Sequence, residues 1–142
     1  MKVIVVRSER GRIVESMVME ASIYDVVKDI TRHVMDEWDP SKSDFLVMRD
    51  NRKVTIIGEP DPEFLKELEA EGRVERSSNG IEVQVPIFII SFDNEFLDDE
   101  DYVDNKVYVI APLVVDSLRE EIEVYAADLT VRREKPEGIT ES

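Results

Sequence analysis

The 142-residue chain contains no cysteine, a single histidine and five glycines. Without cysteine it can form no disulfide, no thiolate nucleophile and no zinc–thiolate site, which fits a reducing compartment. Its longest nearly apolar runs, residues 85–90 and 107–115, fall far short of the about 20 residues that a membrane-spanning helix requires. We therefore expect a cytoplasmic protein without a membrane segment.

The few glycines also limit the cofactor chemistry that the sequence supports. All five fall at predicted turns, helix ends or the C-terminal tail, and none belongs to a phosphate-binding loop or a dinucleotide-binding fingerprint. No serine stands in a Gly-x-Ser-x-Gly motif. The sequence therefore predicts no cofactor. A carboxylate-based enzyme stays open, because two acids with different pKa values can serve as general acid and base.

The negative charge is unevenly distributed along the chain. The formal net charge is −15, but acidic and basic residues balance at ten each over residues 1–57. The whole excess therefore lies in residues 58–142. Such a surface repels phosphate backbones, which supply much of non-specific nucleic-acid affinity, and attracts basic groups. We expect a basic protein partner and no nucleic acid; a contribution to solubility alone is the alternative.

The hydrophobic pattern predicts a single α+β domain over residues 1–133 and a flexible tail over residues 134–142. Three hairpins are expected where apolar stretches flank a turn: 2–8 with 12–19, 45–48 with 53–57, and 73–76 with 81–85. Further apolar strands are expected at 87–90 and 107–110. Successive hairpins favour a mostly antiparallel sheet, with about three helices packed on one face.

Apolar residues at helical spacing predict a first helix between Ser22 and Pro40, a short second helix after Asp61, and a third over 117–130. A strand over 121–131 is the alternative to the third helix. Two capping boxes are expected, one formed by Ser22 with Asp25 and one by Ser117 with Glu120.

Two prolines, Pro86 and Pro112, interrupt the most apolar strands. Proline cannot donate a hydrogen bond to a sheet, so each is expected at an edge, a strand end or a bulge. An apolar edge beside Pro86 would need cover, either from the protein's own helix or from a second subunit. We expect a homodimer.

The single histidine, His33, lies on the first predicted helix with Asp29 and Glu37 four residues to either side. This spacing aligns a carboxylate, an imidazole and a carboxylate along one stripe. Such a stripe could bind a divalent cation or make the imidazole a base. The three residues are candidate metal ligands. The alternative, which we favour, is a surface histidine held by ion pairs, because two turns of one helix rarely complete a metal site.

The densest acidic cluster lies within residues 91–104, which contain seven acidic residues, several aromatic residues and no basic residue. A calcium-binding loop starting at Asp93 fails, because Leu97 and Asp98 occupy positions that need an oxygen ligand and a glycine. Aromatic anchors among acids suit a basic, apolar groove on a partner. We therefore predict a non-catalytic protein-binding or regulatory domain that docks through Phe92, Asp93, Glu95, Phe96, Asp98, Asp99, Asp101 and Tyr102. A solvated loop and weak divalent-cation binding are the alternatives.

Basic residues gather at two of the predicted hairpin turns. These are Arg7, Arg10, Arg12, Arg49, Arg52 and Lys53. If both turns lay on the same side, they would form a small positive patch that could meet the acidic part of another copy. Because no exposed aromatic residues are interleaved with them, they indicate nucleic-acid binding only weakly.

Composition and layout together resemble a known group of proteins. Charged residues make up 36% of the chain, and glutamine occurs once, at Gln84. This balance is typical of thermophile proteins. With its repeated order of two strands and a helix, the chain resembles the small conserved, uncharacterised proteins of thermophilic archaea. The resemblance implies an archaeal, thermophilic origin and no particular activity.

Overall fold

The computed structural model describes residues 2–41, 45–56, 62–77, 80–92 and 106–130. These form six strands and three helices in a predominantly antiparallel α+β fold, as predicted. The elements are β1 (Lys2–Glu9), β2 (Arg12–Glu20), α1 (Ile23–Glu37), β3 (Phe45–Ile56), α2 (Pro62–Ala70), β4 (Val74–Ser77), β5 (Gly80–Phe92), β6 (Lys106–Pro112) and α3 (Leu118–Leu129). Within the described ranges, no helix is both long and apolar enough to cross a bilayer.

The strands form one sheet in the order β2-β1-β6-β5-β3. Strand β4 pairs with residues 80–83 of β5, on the side where β6 pairs with residues 88–92. All pairings are antiparallel. Strands β2, β3 and β4 therefore each have one edge that no described strand pairs with.

The helices cover both faces of the sheet, which corrects the expectation that they pack on one face. Helix α1 buries Val26 and Val34 against one face, and α3 buries Leu118 and Ile122 against the other. Helix α2 buries Leu68 in the same core cluster as α3, on what we call the α3 face; the opposite face is the α1 face. Two layers of helices are needed because residues 3–6 of β1 are all buried and successive side chains of a strand point to opposite faces.

The predicted first hairpin is confirmed, and its turn has a defined backbone. Arg10 and Gly11 both have positive φ, at 50° and 79°. Glu9 pairs with Arg12 across them. Positive φ at both central residues defines the type I′ turn that suits the twist of a two-residue hairpin.

The predicted hairpin over residues 45–57 is wrong, because β3 runs unbroken from Phe45 to Ile56. All twelve of its residues pair with residues 81–92 of β5. Asp50 and Asn51 are common turn residues, but here the long-range pairing with β5 keeps them extended. The third predicted hairpin, β4 with β5, is confirmed.

The third helix is confirmed against its strand alternative, because Leu118, Ile122 and Ala126 form one buried helical stripe. Neither predicted capping box forms. The side chains of Ser22 and Ser117 make no capping hydrogen bond. Burial of the apolar helix faces therefore positions α1 and α3 without these caps.

Pro112 lies at a strand end, as predicted, whereas Pro86 lies inside the inner strand β5, at a local gap in its pairing. The Gln84 N–H donates to the Arg73 carbonyl, on the β4 side of β5. Pro86 is two residues further on and faces the same side, between the residues that pair with β4 and those that pair with β6. No described strand lies opposite Pro86 on this side, so the lack of an N–H group at Pro86 removes no hydrogen bond between the described strands. Pro112 ends β6.

Candidate functional site

The stripe of Asp29, His33 and Glu37 lies on the surface of α1. His33 Nε2 is 3.8 Å from Glu37 Oε1, and both side chains are more than half exposed. In the part of the chain that the structure describes, no group of three or more histidine and acidic side chains could hold a metal ion. The structure therefore does not bring these three candidates together as a metal centre.

The predicted acidic docking segment, residues 93–104, lies outside the described residues, and this includes Asp93, Glu95, Phe96, Asp98, Asp99, Asp101 and Tyr102. Phe92 is the last residue of β5 and pairs with Lys106, the first residue of β6. The chain before and after the segment is thus held together at one end of the sheet. Docking through this segment stays a prediction.

The positive patch does not form, because its members face different sides of the sheet. The Arg49 guanidinium lies 5.6 Å from the ring centre of Phe88, on the α1 face. The Arg52 guanidinium lies 5.4 Å from the ring centre of Tyr125, on the α3 face. Lys53 lies near two acids, with its Nζ 3.2 Å from Glu82. Residues 45–56 form one continuous strand, so no turn at Asp50-Asn51 gathers these residues.

A cleft runs along α3, beside the outer strand β3. It is open to solvent and has a volume of about 350 Å³. We call it the α3 groove; it is lined by Arg52, Ser117, Glu120, Glu121, Val124, Tyr125 and Asp128. Three of these residues are acidic and one is basic, so the groove is negatively charged. Two smaller described clefts, of about 30 and 50 Å³, have room for only a few water molecules.

A polar cluster joins β3 to α3 at one wall of the α3 groove. Arg52 Nε and Nη2 lie 3.1 and 3.0 Å from Glu121 Oε1. Tyr125 donates its hydroxyl to Asp50 Oδ2 at 3.3 Å. Residues two apart in a strand share a face, and residues four apart in a helix share a side, so the two pairs meet. The cluster fixes the helix relative to the outer strand.

The surroundings of Tyr125 determine the chemistry available in the groove. Burial raises the pKa of its hydroxyl, and the charge and hydrogen bond of Asp50 add to this rise, while Arg52 opposes it. The phenol therefore stays protonated at neutral pH. It serves as a hydrogen-bond donor and an aromatic surface, and not as a base or a nucleophile.

Apolar side chains adjoin this acidic groove. Val124 is exposed on the groove wall. On β3, Leu46 and Met48 are exposed and lie on the same face as Asp50 and Arg52, because the residues of a strand alternate. Acidic and apolar groups are therefore combined on one side of the molecule.

The sequence alone does not reveal the α3 groove. The spacings of its two pairs, Asp50 with Arg52 and Glu121 with Tyr125, are visible in the sequence. The two pairs are about 70 residues apart, however, and only the sheet order brings them together. The predicted hairpin over residues 45–57 also placed a turn at Asp50-Asn51, so it did not indicate that Asp50 and Arg52 belong to one outer strand.

Comparison with known proteins identifies a family. The searches of the curated proteins and of the solved structures find no match. A family model described as "Uncharacterized protein conserved in archaea (DUF2286)" matches residues 2–131, a range that includes every described residue. The predicted resemblance to archaeal proteins is thereby confirmed, and its thermophilic part stays a prediction. The chain belongs to this family of proteins conserved in archaea.

Proposed function

We propose that the protein is a non-catalytic binding domain that captures a basic protein partner through the α3 groove and the acidic segment of residues 93–104. The observation that carries the proposal is the charge of the groove. Its one cation, Arg52, is bound by Glu121. Two further acids of the groove, Glu120 and Asp128, form no ion pair with a described residue. They can meet a lysine or an arginine of the partner.

The apolar groups beside the groove define the partner further. Val124 and the Tyr125 ring offer contact area between the acids. Aromatic and apolar anchors supply much of the affinity of protein interfaces, while charges supply orientation and association rate. The fitting partner is therefore a segment that carries lysine or arginine together with apolar side chains.

The alternative function, a carboxylate-based or divalent-cation-dependent enzyme, has less support. His33 is exposed on α1, and it lines none of the three clefts described above. A general base needs a substrate held within hydrogen-bond reach, and a convex helix surface does not provide this.

We also propose that the chain associates with itself as a homodimer. The support is the exposed apolar stretch on the outer strand β3, which includes Leu46 and Met48. Isolated sheet edges of this kind are normally covered in stable proteins.

The experiment that tests partner binding is affinity capture from the native cell extract at low and high salt, followed by titration of the purified captured protein. Glu120→Lys reverses a charge in the groove, and we expect about tenfold weaker binding because an attractive contact becomes repulsive. The matched control is Glu123→Lys, which makes the same charge change on the same helix but outside the groove, near Arg119. We expect less than a twofold effect from it.

Two outcomes would contradict the groove as the binding site. Equal weakening by both variants would show that only net charge matters, and no weakening by Glu120→Lys would place the contact elsewhere. Phe96→Ala combined with Tyr102→Ala tests the acidic segment separately. We expect loss of capture with a nearly unchanged melting temperature, and a large fall in melting temperature would instead identify these as core residues.

A further inference from the structure

The outer edge of β3 is an open edge of the described sheet with three consecutive exposed apolar residues. β3 pairs with β5 on one side, and no described strand pairs with its other side. Leu46, Val47 and Met48 follow one another on it and are 49%, 42% and 39% exposed. The opposite edge strand, β2, is protected: its pairing with β1 contains a register shift, and Arg119 donates to the Ser16 carbonyl. Bulges and occupied carbonyls block strand addition.

The backbone direction of β3 follows from its partner β5. The Gln84 N–H donates to Arg73 of the loop before β4, so it points away from β3. Lys53 lies directly opposite Gln84 in the β3–β5 ladder. In an antiparallel ladder two opposite residues either both bond to each other or both point away, so the N–H and C=O of Lys53 point away from β5, toward the free edge of β3. Because directions alternate, the residues with outward backbone groups are Phe45, Val47, Arg49, Asn51, Lys53 and Thr55.

Two copies of β3 can pair antiparallel only if outward-facing residues meet outward-facing residues. The odd-numbered residues of one copy must therefore lie opposite odd-numbered residues of the other, and the two-fold axis passes through a residue. An axis at Arg49, Arg52 or Lys53 places two cations opposite each other. An axis at Asp50 places two carboxylates opposite each other. Like charges in direct cross-strand pairs are destabilising.

An axis at Asn51 places no charged residue opposite its own copy. It also places oppositely charged and apolar residues on the α3 face opposite each other. It places Asp50 opposite Arg52 of the second copy, and the symmetry forms this pair twice. On the same face, Met48 meets Val54 and Leu46 meets Ile56. Val54 and Ile56 are already buried in the core on the α3 face, so the exposed apolar residues of the second copy extend that core.

One kind of like-charged pair remains in this register and, like the pair of Asp50 with Arg52, it forms twice by symmetry; the structure offsets it. Arg49 lies opposite Lys53 of the second copy, on the α1 face. Lys53 Nζ is already 3.2 Å from Glu82 Oε2 and within 4.0 Å of Glu75 Oε2, both in its own chain. These two carboxylates neutralise the ammonium that Arg49 would meet. An axis nearer to either end of β3 would shorten the ladder.

We propose that two copies pair through the outer edges of β3, antiparallel about a two-fold axis at Asn51, so that the two sheets become continuous. This inference rests on the self-association proposed above and assigns its surface and register. It also brings the two α3 grooves together across the axis, because Arg52 lines each groove and lies opposite Asp50 of the other copy.

The absence of cysteine makes the register directly testable. Asn51→Cys places two thiols opposite each other on the axis, where the Cα atoms of a hydrogen-bonded antiparallel pair are about 5.5 Å apart, within disulfide range. The matched control is Lys53→Cys. Its two cysteines are offset by four residues, or about 14 Å, and cannot form a disulfide. Each variant is oxidised and examined by non-reducing electrophoresis, and the mass of the unmodified protein is measured by light scattering.

We expect a dimer mass at tens of micromolar and a cross-linked dimer of Asn51→Cys only. A monomer mass would overturn self-association itself. A dimer mass without the Asn51→Cys cross-link, or with equal cross-linking of Lys53→Cys, would overturn the register while self-association stands. The two failures are therefore distinguishable, and neither bears on capture of the basic partner.

Discussion

At the scale of single residues, Gly80 is the position where an added side chain meets the strongest conflict. Its φ is 138°, and a Cβ atom would lie 2.8 Å from the Ile56 carbonyl oxygen. We expect Gly80→Ala to lower the free energy of unfolding by about 2–3 kcal/mol, because backbone strain and a contact with rigid backbone add together. Urea denaturation followed by circular dichroism measures the change.

Gly72 provides the control for this prediction. Its φ is also positive, at 71°, but a Cβ atom there would meet nothing within 4 Å. Gly72→Ala should therefore cost only the left-handed backbone conformation, about 1 kcal/mol. Equal losses for the two variants would mean that the close approach to Ile56 is unimportant.

The surroundings of His33 could be predicted from the sequence only in part. Its spacing from Asp29 and Glu37 correctly predicts one helical stripe, and the His33–Glu37 pair is present. Periodicity fixes neighbours within a helix. It does not say which other element, if any, faces that stripe, and so it does not say whether further ligands complete a metal site.

At the scale of elements, a buried hydroxyl pair fastens the C-terminus of α3 to the first hairpin. Ser8 Oγ lies 2.6 Å from Thr130 Oγ1, and both residues are fully buried. Thr130 Oγ1 also accepts the Gly11 N–H at 2.8 Å. We expect Thr130→Val, which keeps the side-chain shape, to cost about 1–3 kcal/mol of unfolding free energy because buried donors lose their acceptor.

A double-mutant cycle tests this pair. Ser8→Ala combined with Thr130→Val should cost less than the sum of the two single variants, because the double variant leaves fewer hydroxyl groups unpaired. The free energies come from denaturant titrations. Strict additivity would mean that the two hydroxyls are not coupled.

Element prediction succeeded where local pattern and long-range pairing agree. The first and third hairpins combine turn residues with flanking apolar strands, and both form. The second fails because Asp50-Asn51 resembles a turn, while the twelve-residue pairing with β5 outweighs that preference. Such competition between a local preference and a distant partner cannot be resolved from the local sequence.

At the scale of the whole molecule, three of the described titratable groups are expected to make the free energy of unfolding fall at alkaline pH. Burial is the main cause that raises the pKa of Tyr108 and Tyr125 above the ordinary value of 10.0. The hydrogen bond to Glu82 is the main cause that raises the pKa of Lys53. In each case the folded state holds its proton more tightly than the unfolded state. Their stabilising contribution is therefore complete below about pH 10 and is lost as pH rises further.

The urea midpoint measured between pH 8 and pH 11 checks this expectation. It should fall above about pH 10, and Tyr125→Phe should make the fall less steep, because phenylalanine has no proton to lose. Phenolate absorbance provides a second measure, in which two tyrosines should ionise above the usual pH. An equally steep fall in Tyr125→Phe would contradict the role assigned to burial of this tyrosine.

The place of β6 in the sheet has a consequence for synthesis on the ribosome. β6 is the last strand of the described chain, yet it lies between β1 and β5 and joins two separate groups of strands, β2-β1 and β3-β5-β4. Until residues 106–112 leave the ribosome, the apolar inner edges of β1 and β5 have no partner. Non-local pairing of this kind slows folding. A nascent chain that stops before Lys106 therefore exposes two unpaired apolar strand edges, which could pair with other chains. When β6 is added, it pairs with β1 and β5 and these edges become the centre of the sheet.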